Sequence, residues 1–243
     1  MSIEILPDAD ALALRAADLF ALTSQEGAAA RGRFAAAFSG GETPRAFYRM
    51  LARQQFSQKI PWRRVQLYWS DERCVPPDDP ASNYGMAEDA LLQRIPVRPD
   101  QVHRVRGELP PEEAARLAED DLRATVTGSP WPVLDLVLLG MGADGHTASL
   151  FPGSAELDES RRLMVPVHRP QMPQPWRVSM TLPVLNAARR VLVLVGAPEK
   201  APMVRRAVEG DRDLPAGRLR PADGVLTWLL TEEAAAELDQ PAG

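Results

Sequence analysis

Short apolar runs alternate along the chain with segments whose hydrophobic residues recur at helical spacing. The apolar runs predict strands at residues 3–6, 34–38, 65–69, 134–139, 163–167, 177–182, 191–195 and 225–230. The helical spacing predicts helices at residues 8–25, 44–51, 82–92, 110–126, 199–208 and 231–238. Strands that alternate with helices are typical of a parallel sheet covered on both faces. The pattern therefore predicts one α/β domain spanning residues 1–243.

The stretch of residues 134–154, LDLVLLGMGADGHTASLFPGS, most strongly indicates a functional site. Its apolar start is typical of a strand buried on both faces. Three glycines follow, and they bring Asp144 and His146 to the end of that strand. Pro152 limits any helix at residues 147–151 to about two turns. Open α/β sheets bind ligands at the carboxyl ends of their strands, so we expect a ligand site here.

Residues 140–145, GMGADG, match the glycine fingerprint of a dinucleotide-binding loop. That fingerprint also requires a long helix after the loop and an acidic residue at the end of the next strand. Here Pro152 interrupts the helix, and the next apolar run ends in His168 and Arg169. We therefore expect no nucleotide cofactor, and we interpret the glycines as a tight backbone turn beside a bound ligand.

Composition excludes several other classes of protein. The chain has 243 residues and a formal net charge of −5, whereas nucleic-acid-binding proteins usually carry a basic surface. No apolar run approaches the ~20 residues needed to span a bilayer. Cys74 is the only cysteine and no H-x-H or H-E-x-x-H pair occurs, so we expect neither a disulfide nor a metal site. The acidic N-terminal segment does not resemble a secretory signal, and we expect a cytoplasmic protein.

Two loops after predicted strands carry residues suited to an anionic ligand. Residues 39–44, SGGETP, combine backbone N–H groups, the hydroxyl of Thr43 and a helix start, which together suit a phosphate. A tight strand-to-helix turn explains the same residues equally well. Asp71 and Arg73 follow another strand, although a solvated charge cluster is the simpler explanation there. Two further possible anion contacts lie later in the chain: Arg177 and Lys200.

His146 is the strongest candidate for a catalytic residue. An imidazole can take a proton from water at neutral pH and return it in a later step. Asp144, two residues earlier, could orient the ring or increase its basicity. A structural histidine bonded to a nearby carbonyl is the alternative. The other two histidines, His103 and His168, lack a glycine-rich setting, and we expect both to be structural or exposed.

Five segments, in the same order, resemble the family of glucosamine-6-phosphate isomerases and 6-phosphogluconolactonases. They are FSGGETP at residues 38–44, WSDERCVP at 69–76 with SNY at 82–84, LVLLGMGADGHTASLFPGS at 136–154, WRVSMTLPVLNAA at 176–188 and VLVLVGAPEKAPMV at 191–204. Together they span the chain from about residue 38 to residue 204. Within the third of these segments, the sequence GHTASLFP resembles the lactonase branch of this family.

The resemblance implies a three-layer α/β/α fold with a modified Rossmann-like, mainly parallel sheet, and neither a cofactor nor a metal. It implies hydrolysis of 6-phospho-D-glucono-1,5-lactone to 6-phosphogluconate, in the oxidative pentose phosphate pathway. The phosphate contacts of the family fall on Ser39, Gly40, Gly41, Thr43, Arg177 and Lys200. The resemblance also places Arg73 against the substrate and makes His146 the catalytic base.

Two alternatives stay open at this point. One is a glucosamine-6-phosphate deaminase or sugar-phosphate isomerase, and Asp71 matches a catalytic aspartate of the deaminase branch. In sequences that resemble the deaminase branch, an Asn-Glu-Pro segment follows the histidine. This chain has Leu150, Phe151 and Pro152 at the equivalent positions, so the glutamate is missing. The other is a non-catalytic sugar-phosphate sensor, which would generally carry a DNA-binding segment that we do not expect here. We expect a small sugar phosphate as the ligand, a monomer or small homo-oligomer, and neither nucleic acid nor membrane as a partner.

Overall fold

The computed structural model describes residues 1–128 and 130–238, which contain ten strands and seven α-helices. The strands are β1 (Ser2–Leu6), β2 (Phe34–Phe38), β3 (Val65–Trp69), β4 (Asp71–Arg73), β5 (Val102–His103), β6 (Leu136–Gly140), β7 (Met164–His168), β8 (Trp176–Met180), β9 (Arg190–Val195) and β10 (Val225–Thr231). The helices are α1 (Ala9–Arg31), α2 (Glu42–Leu51), α3 (Gln54–Ser57), α4 (Asn83–Ala90), α5 (Pro111–Thr125), α6 (Leu182–Ala187) and α7 (Ala201–Glu209).

The larger of two sheets is wholly parallel, in the order β1-β10-β9-β6-β2-β3-β5. Helices lie on both of its sides, which confirms the three-layer α/β/α fold with a mainly parallel sheet. The chain continues from β2 to β3 in one direction and from β6 to β9 in the other, so the strand order reverses between β2 and β6. Open α/β sheets bind ligands at such a switch point, beyond the carboxyl ends of the strands.

A second, smaller sheet is antiparallel and has the order β4-β8-β7. The apolar runs at residues 163–167 and 177–182 form strands, as predicted, and both strands lie in this small sheet outside the parallel one. Only the short loop at residues 169–175 separates β7 from β8. Such a connection suits antiparallel strands, because parallel neighbours need a long crossover.

Ser70 is the residue at which the chain passes from one sheet to the other. Its N–H donates to the carbonyl of Phe38 at 2.7 Å, and its own carbonyl accepts the N–H of Met180 at 2.7 Å. The next three residues therefore pair with β8, which places Arg73 opposite Arg177. This crossing brings the small sheet to the same edge at which β2 and β3 end.

The helix predicted at residues 231–238 is absent from the described residues, where residues 232–238 form turns after β10. Residues 147–151, where Pro152 leaves room for only a short helix, form turns with an isolated bridge between Thr147 and Leu150. Conversely, α3 and α6 were not predicted, since each has six residues or fewer. The spacing of hydrophobic residues does not predict helices this short, because their stability depends on tertiary packing.

An aromatic cluster fixes the loop that follows β2. The ring of Phe20, on α1, lies between 5.4 and 6.0 Å from the rings of Phe34, Phe38, Phe47 and Trp62, measured between centroids. All five side chains are buried. The cluster includes both ends of β2 and the middle of α2, so the loop between these elements is anchored on both sides.

α1 is the longest helix among the described residues, and its start was predicted. Asp8 caps it, with the carboxylate accepting the N–H of Ala11 at 2.8 Å. The helix continues to Arg31, beyond the predicted end near residue 25, through an alanine-rich segment that favours helix. Neither α1 nor any other helix in the described ranges has the length and apolar composition needed to cross a membrane.

Candidate active site

A cleft of about 220 Å³ opens at the switch point, beyond the carboxyl ends of β2 and β6. The predicted site residues that line it are Ser39, Gly40, Gly41, Thr43, Asp71, Arg73, His146, Arg177 and Lys200. Asp144 is the remaining predicted residue, and it contacts His146. The structure therefore brings together loops that are far apart in sequence, while the role of each residue stays a prediction.

A carboxylate holds the imidazole of His146 on the glycine-rich loop after β6. Its Nδ1 lies 2.5 Å from Asp144 Oδ1, which also accepts the backbone N–H of His146 at 3.1 Å. Burial opposes ionisation of Asp144, but the hydrogen bonds and charge of His146 together outweigh it and lower the pKa of Asp144 to about 2. The ionised carboxylate of Asp144 accepts a hydrogen bond from Nδ1–H, which leaves Nε2 as the nitrogen that can take a proton from water.

Two neighbours fix the position of that imidazole ring. A Cβ atom at Gly142 would overlap His146 Nδ1, so the ring can pack against the backbone only because residue 142 is glycine. The ring of Phe151 lies 4.5 Å from the imidazole, centroid to centroid. The deaminase resemblance places a glutamate at this position, and an apolar ring stands there in this chain.

Three cationic side chains, Arg73, Arg177 and Lys200, converge on the cleft. None of them forms an ion pair with another described side chain, and Arg73 donates to the backbone carbonyl of Ala81 at 2.7 Å. Burial lowers the pKa of Arg177 and of Lys200. The Nε atoms of both arginines are buried without a hydrogen-bond partner among the described residues. Desolvated cations with unused donors suit a phosphate, which forms strong charge-assisted hydrogen bonds.

Asp71 lies in the cleft lining, where two residues that sequence reasoning missed bind it. Its Oδ2 accepts the hydroxyl of Ser149 at 2.6 Å, and its backbone carbonyl accepts Asn83 Nδ2 at 2.8 Å. Both residues lie in segments that carry the family resemblance, SNY and GHTASLFP. That membership was the only available signal, because a serine or an asparagine is usually exposed.

Glu72 lies on the opposite face of β4 from Asp71 and binds the start of α4. Its carboxyl group accepts the N–H groups of Asn83 at 2.7 Å and Tyr84 at 2.8 Å, and Ser82 Oγ lies 3.1 Å away. Burial raises the pKa of Glu72 to about 7, although these N–H groups favour the ionised form. Glu72 thus connects the strand that carries Asp71 to the helix that carries Asn83.

Glu72 is expected to make the folded protein less stable as the pH rises. In the unfolded chain this carboxyl ionises near its ordinary pKa of 4.5, whereas in the folded protein its pKa is about 7. The contribution of Glu72 to the free energy of unfolding is therefore fully present below about pH 4.5 and is lost as the pH rises through about 7. The loss is on the order of 3 kcal/mol. Denaturant unfolding at several pH values across this window measures the loss. The variant Glu72→Gln should lack it, and equal pH slopes in the two proteins would contradict the assignment.

A larger cavity, of about 500 Å³, is lined by residues of β5 and α5 and contains none of the predicted site residues. His103 lines it, with Nδ1 2.8 Å from Asp121 and Nε2 2.8 Å from Gln66, so neither ring nitrogen is free. The last histidine, His168, is exposed and stacks on Trp176. In the described part of the chain, no group of three or more His, Cys, Asp or Glu side chains could hold a metal ion.

Comparison with known proteins agrees with the motif pattern. A family model described as glucosamine-6-phosphate isomerases/6-phosphogluconolactonase matches residues 7–228. The 6-phosphogluconolactonase of Homo sapiens is 41% identical over 221 residues, which cover 88% of this chain and 84% of that protein. The 6-phosphogluconolactonase of Nostoc sp. is 37% identical over 243 residues, 98% of each chain.

The solved structures support the same conclusion. The structure of 6-phosphogluconolactonase from Trypanosoma brucei has a TM-score of 0.85 to this chain at 28% sequence identity, and the match covers 98% of both chains. The matched region thus includes both sheets and the cleft between their strand ends. The chain belongs to the family of glucosamine-6-phosphate isomerases and 6-phosphogluconolactonases.

Proposed function

We propose that this chain hydrolyses 6-phospho-D-glucono-1,5-lactone to 6-phosphogluconate, with His146 as the general base. One observation carries the proposal: a single cleft contains both an imidazole held by a carboxylate and a group of desolvated cations. The imidazole suits proton transfer from water, and the cations suit the phosphate of the substrate. The relatives compared above carry the name of the enzyme that catalyses this reaction.

Proton transfer at His146 accounts for the chemical steps. Nε2 takes a proton from a water molecule as the water oxygen attacks C1 of the lactone, which gives a tetrahedral intermediate. Collapse of this intermediate breaks the bond between C1 and the ring oxygen, and the imidazolium returns the proton to that oxygen. The oxygen becomes the C5 hydroxyl of the product, and the new carboxylic acid ionises into solution. Asp144 stays ionised throughout and stabilises the imidazolium.

The phosphate fixes the substrate relative to the base. Arg177 and Lys200 supply charge, and the loop after β2 supplies the hydroxyls of Ser39 and Thr43. Ser39 Oγ is buried without a partner among the described residues, so its hydrogen-bonding capacity is unused. Binding energy from a remote group of this kind can hold C1 in line with the attacking water, which increases the rate of the chemical step.

Fresh 6-phosphogluconolactone is expected to release protons faster in the presence of this protein than by spontaneous hydrolysis. A pH-indicator dye in weak buffer records the rate. Glucono-1,5-lactone is the matched substrate without the phosphate, and we expect its kcat/KM to be lower by about 100-fold because the cation contacts are lost. A rate with the phosphorylated lactone no higher than the spontaneous rate would refute the proposal.

The same samples test the two other functions. A deaminase would release ammonia from glucosamine 6-phosphate, and a sensor would bind 6-phosphogluconate without accelerating lactone hydrolysis. The contact between Phe151 and His146 disfavours the deaminase, because it leaves an apolar ring where a carboxylate would assist the histidine. Ammonia release would therefore also overturn the role inferred for this part of the cleft.

A further inference from the structure

We propose that Asn83 is a positioning residue that fixes Gly40 in the phosphate-binding loop and thereby sets the selectivity for phosphorylated lactones. The inference rests on the proposed function, because that function assigns the phosphate to residues 39–43. Asn83 lines the cleft, yet nothing in the motifs alone gives it a role. Three structural observations carry the assignment.

The first observation is that only one orientation of the Asn83 amide satisfies its neighbours. Nδ2 donates to the backbone oxygen of Asp71 at 2.8 Å and lies 3.4 Å from Asp71 Oδ1. Both of these partners are acceptors, so the amide nitrogen faces Asp71 and Oδ1 faces away from it. Asn83 is 1% exposed, and its Oδ1 has no hydrogen-bond donor among the described residues.

The second observation is the direction in which that oxygen points. A Cβ atom at Gly40 would overlap Asn83 Oδ1, so the amide packs against the side of Gly40 that would otherwise carry a side chain. The carbonyl oxygen of Asn83 therefore lies against the Cα–H side of Gly40, which is a weak contact. This contact explains why a buried acceptor is tolerated without an N–H or O–H partner.

The third observation is that the helix start holds Asn83 firmly. Its backbone N–H donates to Glu72 Oε1 at 2.7 Å, and the Ser82 hydroxyl caps α4 by accepting the N–H of Gly85 at 3.0 Å. Backbone and side chain of Asn83 are thus both tied to β4. The amide forms a rigid spacer between β4 and Gly40, and a misplacement of about 1 Å in such a site can lower a rate about 100-fold.

The variant Asn83→Ala tests the spacer. We compare kcat/KM for 6-phosphogluconolactone with kcat/KM for glucono-1,5-lactone and expect their ratio to fall about tenfold, because the loop relaxes into the vacated space. Ser82→Ala is the matched control. It removes a cap from the same helix but leaves the amide against Gly40, so the ratio should keep its wild-type value.

The variant Gly40→Ala tests the contact from the other side. Its methyl group overlaps Asn83 Oδ1, so the single variant should lose selectivity by about tenfold or more. The double variant Gly40→Ala/Asn83→Ala should regain most of the loss, because the shorter side chain makes room for the methyl group. Rescue of this kind requires that the two residues are in contact, and a general loss of stability does not produce it.

The outcomes separate this inference from the proposed function. An equal loss for both lactones in Asn83→Ala, or no rescue in the double variant, overturns the role of Asn83 while lactonase activity stands. If wild-type protein hydrolyses neither lactone, the proposed function fails, and calorimetric titration with 6-phosphogluconate still compares phosphate affinity among the variants. If Asn83→Ala does not fold, Asn83→Ser and its combination with Gly40→Ala take its place under the same criteria.

Discussion

Replacement of His146 by alanine is expected to lower kcat for 6-phosphogluconolactone about 10²–10⁴-fold, with little change in KM. The cations that suit the phosphate remain in place, so the variant still binds substrate. The variant lacks the imidazole that accepts the proton of the attacking water and returns a proton to the ring oxygen. Initial rates of proton release, corrected for spontaneous hydrolysis, measure the effect. Wild-type turnover by a folded His146→Ala protein would exclude this residue as the base.

Two controls separate proton transfer from loss of structure. His103 also holds its Nδ1 against a carboxylate, that of Asp121, but it lies outside the cleft, so a folded His103→Ala variant should keep its kcat. Asp144→Asn retains the shape of the partner without its charge, and we expect a loss smaller than that of His146→Ala. The loss is smaller because Asp144→Asn keeps the imidazole and only weakens the stabilisation of the imidazolium that forms during the reaction.

The parallel sheet and its ligand-binding edge could be predicted because burial on both faces leaves a clear pattern. β2 and β6 read as uninterrupted apolar runs, and both are almost entirely buried. Once strands are parallel, the loops after them meet at one edge, which brings Gly40 and His146 into one cleft without any knowledge of side-chain packing. The meeting of these distant loops could therefore be predicted from the apolar runs alone.

The small antiparallel sheet could not be predicted in the same way. β4 consists of Asp71, Glu72 and Arg73, which carry no apolar pattern and are more typical of an exposed turn. Its first two residues are buried because partners from residues 82–84 and from Ser149 satisfy their polar atoms. Such burial depends on contacts between distant segments, and a single sequence does not reveal them.

The error at residues 231–238 has a different cause. The segment TEEAAAEL has a strong intrinsic preference for helix, but its first residue, Thr231, is the last residue of β10. The hydroxyl of Thr231 donates to the carbonyl of Gly196 at 3.1 Å and accepts the N–H of Ala234 at 3.2 Å. The bond to Ala234 is that of a helix N-cap, and the N–H of Ala235 donates to the carbonyl of Thr231 at 3.0 Å, so a helical turn begins here. The turn does not continue as a helix over residues 235–238, because a segment this short gains too little from helix formation.

Replacement of Lys200 by alanine is expected to lower kcat/KM for 6-phosphogluconolactone about 100-fold. The ammonium group is partly desolvated in the free protein, and burial already lowers its pKa, so a phosphate dianion restores interactions that water no longer provides. Arg177→Lys keeps one charge but removes the guanidinium fork, and we expect a smaller loss. Steady-state kinetics at fixed ionic strength measure both variants, because screening by salt weakens these contacts.

The unphosphorylated substrate distinguishes loss of a phosphate contact from general damage to the cleft. Glucono-1,5-lactone has no group for Lys200 to bind, so its kcat/KM should change far less than that of the phosphorylated lactone. Arg169 provides a matched cation: its guanidinium lies 4.7 Å above the ring of Phe151 but does not line the cleft. Arg169→Ala should therefore leave the preference for the phosphorylated lactone intact. If Arg169→Ala and Lys200→Ala reduced that preference equally, the cations would act through the overall field of this face, and a defined phosphate site would be excluded.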